Sequence, residues 1–278
     1  MILPAFFRKT ALVAALAALA ACGHPHAVQK APPPQTDPHY AARLDGGTEI
    51  PAVDPRYLTG TNARVEVAYD GPEKPGTIIV DPFARVLYLV QDGDRAIRYG
   101  IAVGREGKGF RGDATIARKE QWPFWQPTAN MLKTEPDVYG DYRAGLPGGI
   151  ENPLGARALY LYRDGKDTHY RIHGTNNIST IGRATSAGCI RLYNQDAIDL
   201  FDQVKLGTHV HVRSQSESVR AEGELVEDAY GFMVPMDSLP QDVQDQIRAG
   251  LTPWPKFVPI IGVNSQAPDI PKPMGATN

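Results

Sequence analysis

Charge of either sign is not in excess in this chain. Among 278 residues, 29 Lys+Arg stand against 31 Asp+Glu, a formal net charge of −2. That balance argues against a nucleic-acid protein, which shows a basic excess or stripe. Long hydrophobic runs are also missing, apart from one segment at the extreme N-terminus, and no internal repeat is visible. Yet the chain is neither polar nor charged enough to be wholly disordered, with 42% hydrophobic and 22% charged residues. Its length suffices for one large domain or two small ones. Cysteine is scarcest of all: only Cys22 and Cys189.

What is present begins with an address. Arg8 and Lys9 precede an apolar run from Ala11 to Ala21, too short for a comfortable transmembrane helix and right for a signal-peptide core. The run ends Leu19-Ala20-Ala21-Cys22, similar to the bacterial lipobox, which implies a signal peptide over 1–21 and lipid attachment at Cys22. Acyl chains would anchor the chain in a membrane. Gly23 follows the Cys, which by resemblance to Gram-negative lipoproteins favours the periplasmic face of the outer membrane. With Cys22 so used, Cys189 is a lone thiol in an oxidising compartment, which calls for a chemical explanation.

Residues 23–60 hold seven prolines, including Pro32-Pro33-Pro34, so 22–75 reads as the lipidated Cys and an extended tether. From residue 76 the pattern turns to strands: 76–81, 85–91, 95–103, 113–119, 157–163, 169–173 and 208–213. A helix is predicted over 195–206, with Asn194 as cap and Gly207 after its end, and a second over about 239–249 before Gly250. The stretch 214–278, proline-rich from Pro235, reads as an extension packed on the main domain and ending in a loose tail.

The most informative residues are Ile172-His173-Gly174-Thr175 and Ser186-Ala187-Gly188-Cys189-Ile190-Arg191. Nucleophilic catalysis by Cys needs a base or cation that favours the thiolate, and backbone donors for the oxyanion. His173 at a strand end meets the first need. Gly188 permits a tight turn and close approach of a carbonyl. If 189–191 is extended, Cys189 and Arg191 face the same way, so Arg191 would favour the thiolate and pair with an anionic group of a substrate.

This pair of motifs resembles the YkuD-type L,D-transpeptidases, over roughly residues 76–213. The resemblance implies a mainly β catalytic domain on a mixed sheet with one or two short helices. It also implies a thiolate mechanism on peptidoglycan stem peptides, without metal or organic cofactor. Cys189 would be the nucleophile and His173 the general base. Ser186, Gly188, Gly174 and Arg191 would shape the substrate side, with an oxyanion hole at the Cys189 N–H. The acceptor would be a second stem peptide, giving a 3–3 cross-link, or an amine of an outer-membrane protein. Water in its place would make the chain a hydrolase, and a dead site would leave a peptidoglycan-binding lipoprotein. The segments 120–128 and 152–155 resemble family segments near the site, whereas Phe110-Arg111-Gly112-Asp113 departs from the family's Thr-Pro-x-Gly.

Blander readings stand beside these. Trp122 and Trp125 fit either the wall of a substrate cleft or a core. His209 and His211 alternate on one strand, but no close CxxC or HxxxH pair supports a zinc site. Gly104, Gly107, Gly109 and Gly112 with Lys108 lack the spacing of a phosphate loop.

Overall fold

The β-branched and aromatic runs become strands wherever tight turns separate them. Asp164 and Gly165, both at positive φ (51° and 73°), form a two-residue hairpin turn whose twist matches the flanking strands. In the computed structural model, which describes residues 37–104, 110–186 and 188–253, nine strands form one sheet. They are β1 (Val65–Ala68), β2 (Ile78–Asp81), β3 (Val86–Gln91), β4 (Arg95–Gly100) and β5 (Gly112–Gln121), followed by β6 (Arg157–Arg163), β7 (Lys166–His173), β8 (Ile190–Arg191) and β9 (His209–Val212). Their order is β8-β7-β6-β5-β9-β2-β3-β4-β1. Only the pairs β7–β8 and β2–β9 are parallel, so the sheet is mixed and the chain mainly β, as expected.

Alternation along β2 shows why the sheet is covered on both faces. Ile78 and Val80 enter the larger core, whereas Ile79 enters a second one with Val86, Tyr88 and Val90. The helix Asn194–Gln203 lays Ala197, Leu200 and Phe201 on the larger core. Each large side chain buried there contributes roughly 1.5–3 kcal/mol. On the other face the Tyr88 hydroxyl donates to Glu222 at 2.9 Å, and Arg213 pairs with Asp81 and Glu222. Residues 214–253 therefore fold back on the sheet, with helices Gln215–Glu222 and Gln241–Arg248.

Two expectations need correction. The expected tether over 22–75 is not extended where it is described. Tyr40 and Val53, at 0% and 2% exposure, pack with Ala102, Ile181 and Tyr193, and β1 adds the edge strand next to β4. A few well-spaced apolar side chains outweigh the proline count, because each finds a prepared surface. The helix is capped by Tyr193 rather than Asn194, whose side chain is used elsewhere. The signal segment, Cys22, the tether before residue 37, Gly107, Lys108, Gly109 and the tail from 254 lie outside the described residues. Among the described residues, no helix is long and apolar enough to cross a membrane.

Candidate active site

Parallel pairing of β8 against β7 builds the site. Ile172 lies opposite Ile190 and His173 opposite Arg191. Both isoleucines enter the larger core, so their neighbours Arg171, His173 and Arg191 point to the other face, and Cys189 comes just before β8 on that side. β8 is fixed on its second edge too, where Arg191 and Ala102 exchange N–H···O bonds of 2.9 Å.

His173 is 5% exposed. Its Nδ1 lies 2.6 Å from the Gly174 carbonyl oxygen. A carbonyl only accepts, so Nδ1 holds the proton and Nε2 is left as the basic nitrogen. Burial, then the positive charges of Arg191 and Arg171, hold the imidazole down at about 3, against the hydrogen bond to Gly174. At neutral pH it is an uncharged base.

Cys189 is half-buried. Burial pushes its thiol above the ordinary value, while the Arg171 backbone N–H and the charges of Arg171 and Arg191 pull the other way. Arg191 is expected to favour the thiolate, and its charge does pull in that direction. Desolvation outweighs it. Thiol and imidazole both rest neutral, so the proton must move when the thiol reacts. Sγ lies 4.0 Å from the His169 carbonyl oxygen, a weak thiol hydrogen bond.

Glycine is required at two places. Gly188 sits at φ 139°, which side-chain-bearing residues avoid. At Gly174 a Cβ would come within 2.2 Å of the Asn194 Oδ1. Ser186 ends a short strand, Ala184–Ser186, that pairs in parallel with Val103–Gly104.

The tryptophans are not gathered around the thiol by the contacts they make. Trp122 donates its indole N–H to Asp45 at 2.9 Å, and that carboxylate grips Arg157 through two 2.8 Å bonds. Trp125, 9% exposed, packs on Tyr139 and Tyr142. Both belong to the scaffold of the 122–150 segment. His209 and His211 share the Asp113 carboxylate, at 3.2 and 2.9 Å, four strands from β8.

Several organising residues escape a reading of the sequence. Asn194 accepts the Ala156 N–H and donates to the Thr175 carbonyl, tying the run after His173 to the start of β6. Buried Asn152 donates to the carbonyls of Pro123, Leu146 and Pro147. An Asn before a helix or in a loop reads as a cap or a turn, and nothing local marks these long-range bonds. The pairing of Arg171 with Asp167 at 2.7 Å likewise has no local signal. A cleft of about 370 Å³ opens away from this chemistry, lined by residues of 56–62 and 228–234 with Arg85 and Gly182.

The mixed sheet thus places the Cys189 thiol next to the strand that ends in the tautomer-fixed His173 imidazole. Residues 75–212 match the family model of the YkuD L,D-transpeptidase catalytic domain. The probable L,D-transpeptidase ErfK/SrfK of Escherichia coli is 33% identical over 144 residues, covering 51% of this chain and 45% of that one. The putative L,D-transpeptidase YqjB of Bacillus subtilis is 39% identical over 144 residues, covering 51% of this chain and 73% of that one. A crystal structure of a Brucella melitensis protein, described as a probable carnitine operon oxidoreductase, is 48% identical and covers 55% of this chain and 95% of that one. Its TM-score is 0.39, too loose a superposition to bear on function. The chain belongs to the YkuD L,D-transpeptidase family. It spans about half the length of the Escherichia coli relative.

Proposed function

We propose that the chain is an exported L,D-transpeptidase that acts on peptidoglycan stem peptides through a Cys189 thioester. The observation behind this reading is the β7–β8 pairing, which sets Cys189 beside the strand of His173 while Gly174 fixes the imidazole with Nε2 unprotonated. His173 Nε2 takes the thiol proton as Sγ attacks the carbonyl between meso-diaminopimelate and the terminal D-Ala of a tetrapeptide stem. The N–H of Cys189 and a neighbouring amide receive the developing oxyanion. Collapse of the tetrahedral adduct breaks the C–N bond, and D-Ala leaves with the proton from His173. An acceptor amine then attacks the thioester, His173 accepts its proton, and the thiol is restored as the new amide forms.

Arg191 is 4% exposed, which suits support of the reacting thiolate better than capture of a substrate carboxylate. Gly188 clears the approach to the carbonyl, and Ser186 lies on the strand leading into it. Trp122 and Trp125 act at a distance, by shaping the 122–150 segment. The acceptor is a second diaminopimelate or an amine of an outer-membrane protein. Export follows from the 1–21 signal, and lipid on Cys22 places the enzyme at the periplasmic face of the outer membrane.

Incubating the full chain with tetrapeptide muropeptides and resolving products by mass spectrometry tests this. Cross-linked dimers are expected. Tripeptides alone would replace the transferase by a hydrolase, and unchanged tetrapeptides would leave a binding module.

A further inference from the structure

Strand β7 is broken directly beside the thiol. Asp167 lies opposite Tyr162 and Arg171 opposite Tyr160, so β7 takes four steps where β6 takes two. The extra residues fold outwards with His169 at φ 63°, a conformation that costs a non-glycine residue energy and persists only where its surroundings enforce it. In a regular strand, residues four apart are separated by about 13 Å. Here the fold brings Asp167 and Arg171 into a two-pronged pair of 2.7 and 2.9 Å. Asp167 also accepts the His169 N–H at 2.8 Å, and Thr168 Oγ1 donates to the Leu161 carbonyl at 2.6 Å. The Arg171 guanidinium lies 4.3 Å from the centre of the Tyr160 ring.

The bulge turns two backbone groups towards the sulfur: the His169 carbonyl and the Arg171 N–H. One suits a thiol and the other a thiolate, so the same short loop can hold Sγ before and after its proton leaves. We propose that the Asp167–Arg171 clasp is a positioning device for the nucleophile, locking the β7 bulge so that the His169 carbonyl and the Arg171 N–H hold Sγ in line with the site. The charged groups around Cys189 are Arg171 and Asp167 on β7 and Arg191 on β8, with His173 neutral. The proposal rests on Cys189 being the nucleophile, but it makes its own demand on the thiol.

Alkylation of the full chain by iodoacetamide, followed against pH at Cys189, reads that demand without any stem peptide. Removing Arg171 takes away a cation and removing Asp167 takes away an anion, so a pure charge effect moves the two profiles in opposite directions. A positioning clasp moves them together. Arg171→Met and Asp167→Asn are each expected to slow alkylation at pH 7 by about 3–10-fold and to shift the profile upwards. The double variant should be no worse than the poorer single one, because the clasp can be lost only once. His169→Val, which resists positive φ, should slow alkylation more than His169→Gly, which accepts it; this comparison stands even if a clasp variant fails to fold. Opposite shifts, unmoved profiles, or equal effects of Val and Gly would overturn the proposal. A muropeptide assay that fails while these shifts appear would reject the transpeptidase reading and leave the clasp standing.

Discussion

Two histidines on different strands of one sheet, three strands apart, show how placement decides the chemistry of a side chain. His173 ends β7 under cover, with its Nδ1 on a main-chain carbonyl and arginines nearby. His211 lies half-buried on β9, between the carboxylates of Asp113 and Glu217 at 2.9 and 3.3 Å. Burial works against charge on His211, but the hydrogen bond and charge of Asp113, helped by Glu217, outweigh it and raise the imidazole above its ordinary value. The first site favours the neutral imidazole, the second the protonated one. A buried base is useful only if something delivers a proton to it, and in the proposed mechanism that is Cys189. His211 joins β9 to β5 and to the helix at Gln215–Glu222 through its two carboxylate partners, and has no reacting partner in the proposed chemistry.

The comparison breaks most readily through activity. His173→Gln should lower muropeptide turnover by about 10²–10⁴-fold, the usual contribution of a positioned general base. His211→Gln should leave turnover close to that of the parent chain. Equal losses from both substitutions would remove the distinction.

Stability tests the scaffold under His173. Asn194→Ala leaves the Ala156 N–H and the Thr175 carbonyl without their partner, at a cost of about 1–3 kcal/mol. A urea midpoint indistinguishable from the parent's would show that these groups find other bonds. Turnover should fall as well, since Thr175 follows Gly174, whose carbonyl orients the imidazole.

The pH dependence of stability separates the histidines by sign. An unfolded histidine takes a proton near pH 6.5, whereas folded His173 does so only at about 3. Between these values the unfolded state binds more protons. The contribution of His173 to stability is therefore complete above about pH 6.5 and is lost as pH falls towards 3. His173→Gln should flatten that acid loss. His211 has the opposite sign: its contribution is present below about pH 6.5 and fades as pH rises through its raised folded value. His211→Gln should thus destabilise more at pH 5.5 than at pH 8, as urea midpoints at both pH values would reveal. Parallel pH profiles for the two variants would contradict the assigned environments.

The smallest effect is expected at Arg191. Arg191→Lys keeps the charge near Sγ but loses the planar fork, so the alkylation profile should barely move, while Arg191→Ala should push the thiol further up. If neither variant alters the profile, the Arg191 charge does not reach the sulfur.

These contrasts also explain what could be read from the sequence. β6 and β3 were visible because their apolar runs are continuous and bounded by turn residues. The thiol motif was visible because Ser186, Gly188, Cys189 and Arg191 are contiguous. His173 needed only β7 to join them. The bulge is not legible, because the left-handed His169 is held by bonds of Asp167 and Thr168 within and across the bulge and leaves no local mark. Asn194 reads as a helix cap because its two partners lie 38 and 19 residues away. The described part of the expected tether (22–75) shows the same limit: Tyr40 and Val53 are isolated in sequence, and the surface that buries them is built by Ala102, Ile181 and Tyr193. Local periodicity reports elements, whereas tertiary pairing decides sites.

The central claim is that Cys189 alone takes up the acyl group. Intact-mass analysis of the full chain after brief exposure to a tetrapeptide donor, with peptide mapping of the adduct, tests it most directly. The expected result is one tripeptidyl adduct, on Cys189, absent from Cys189→Ala. An adduct that persists in Cys189→Ala, or that maps to another residue, would contradict the account.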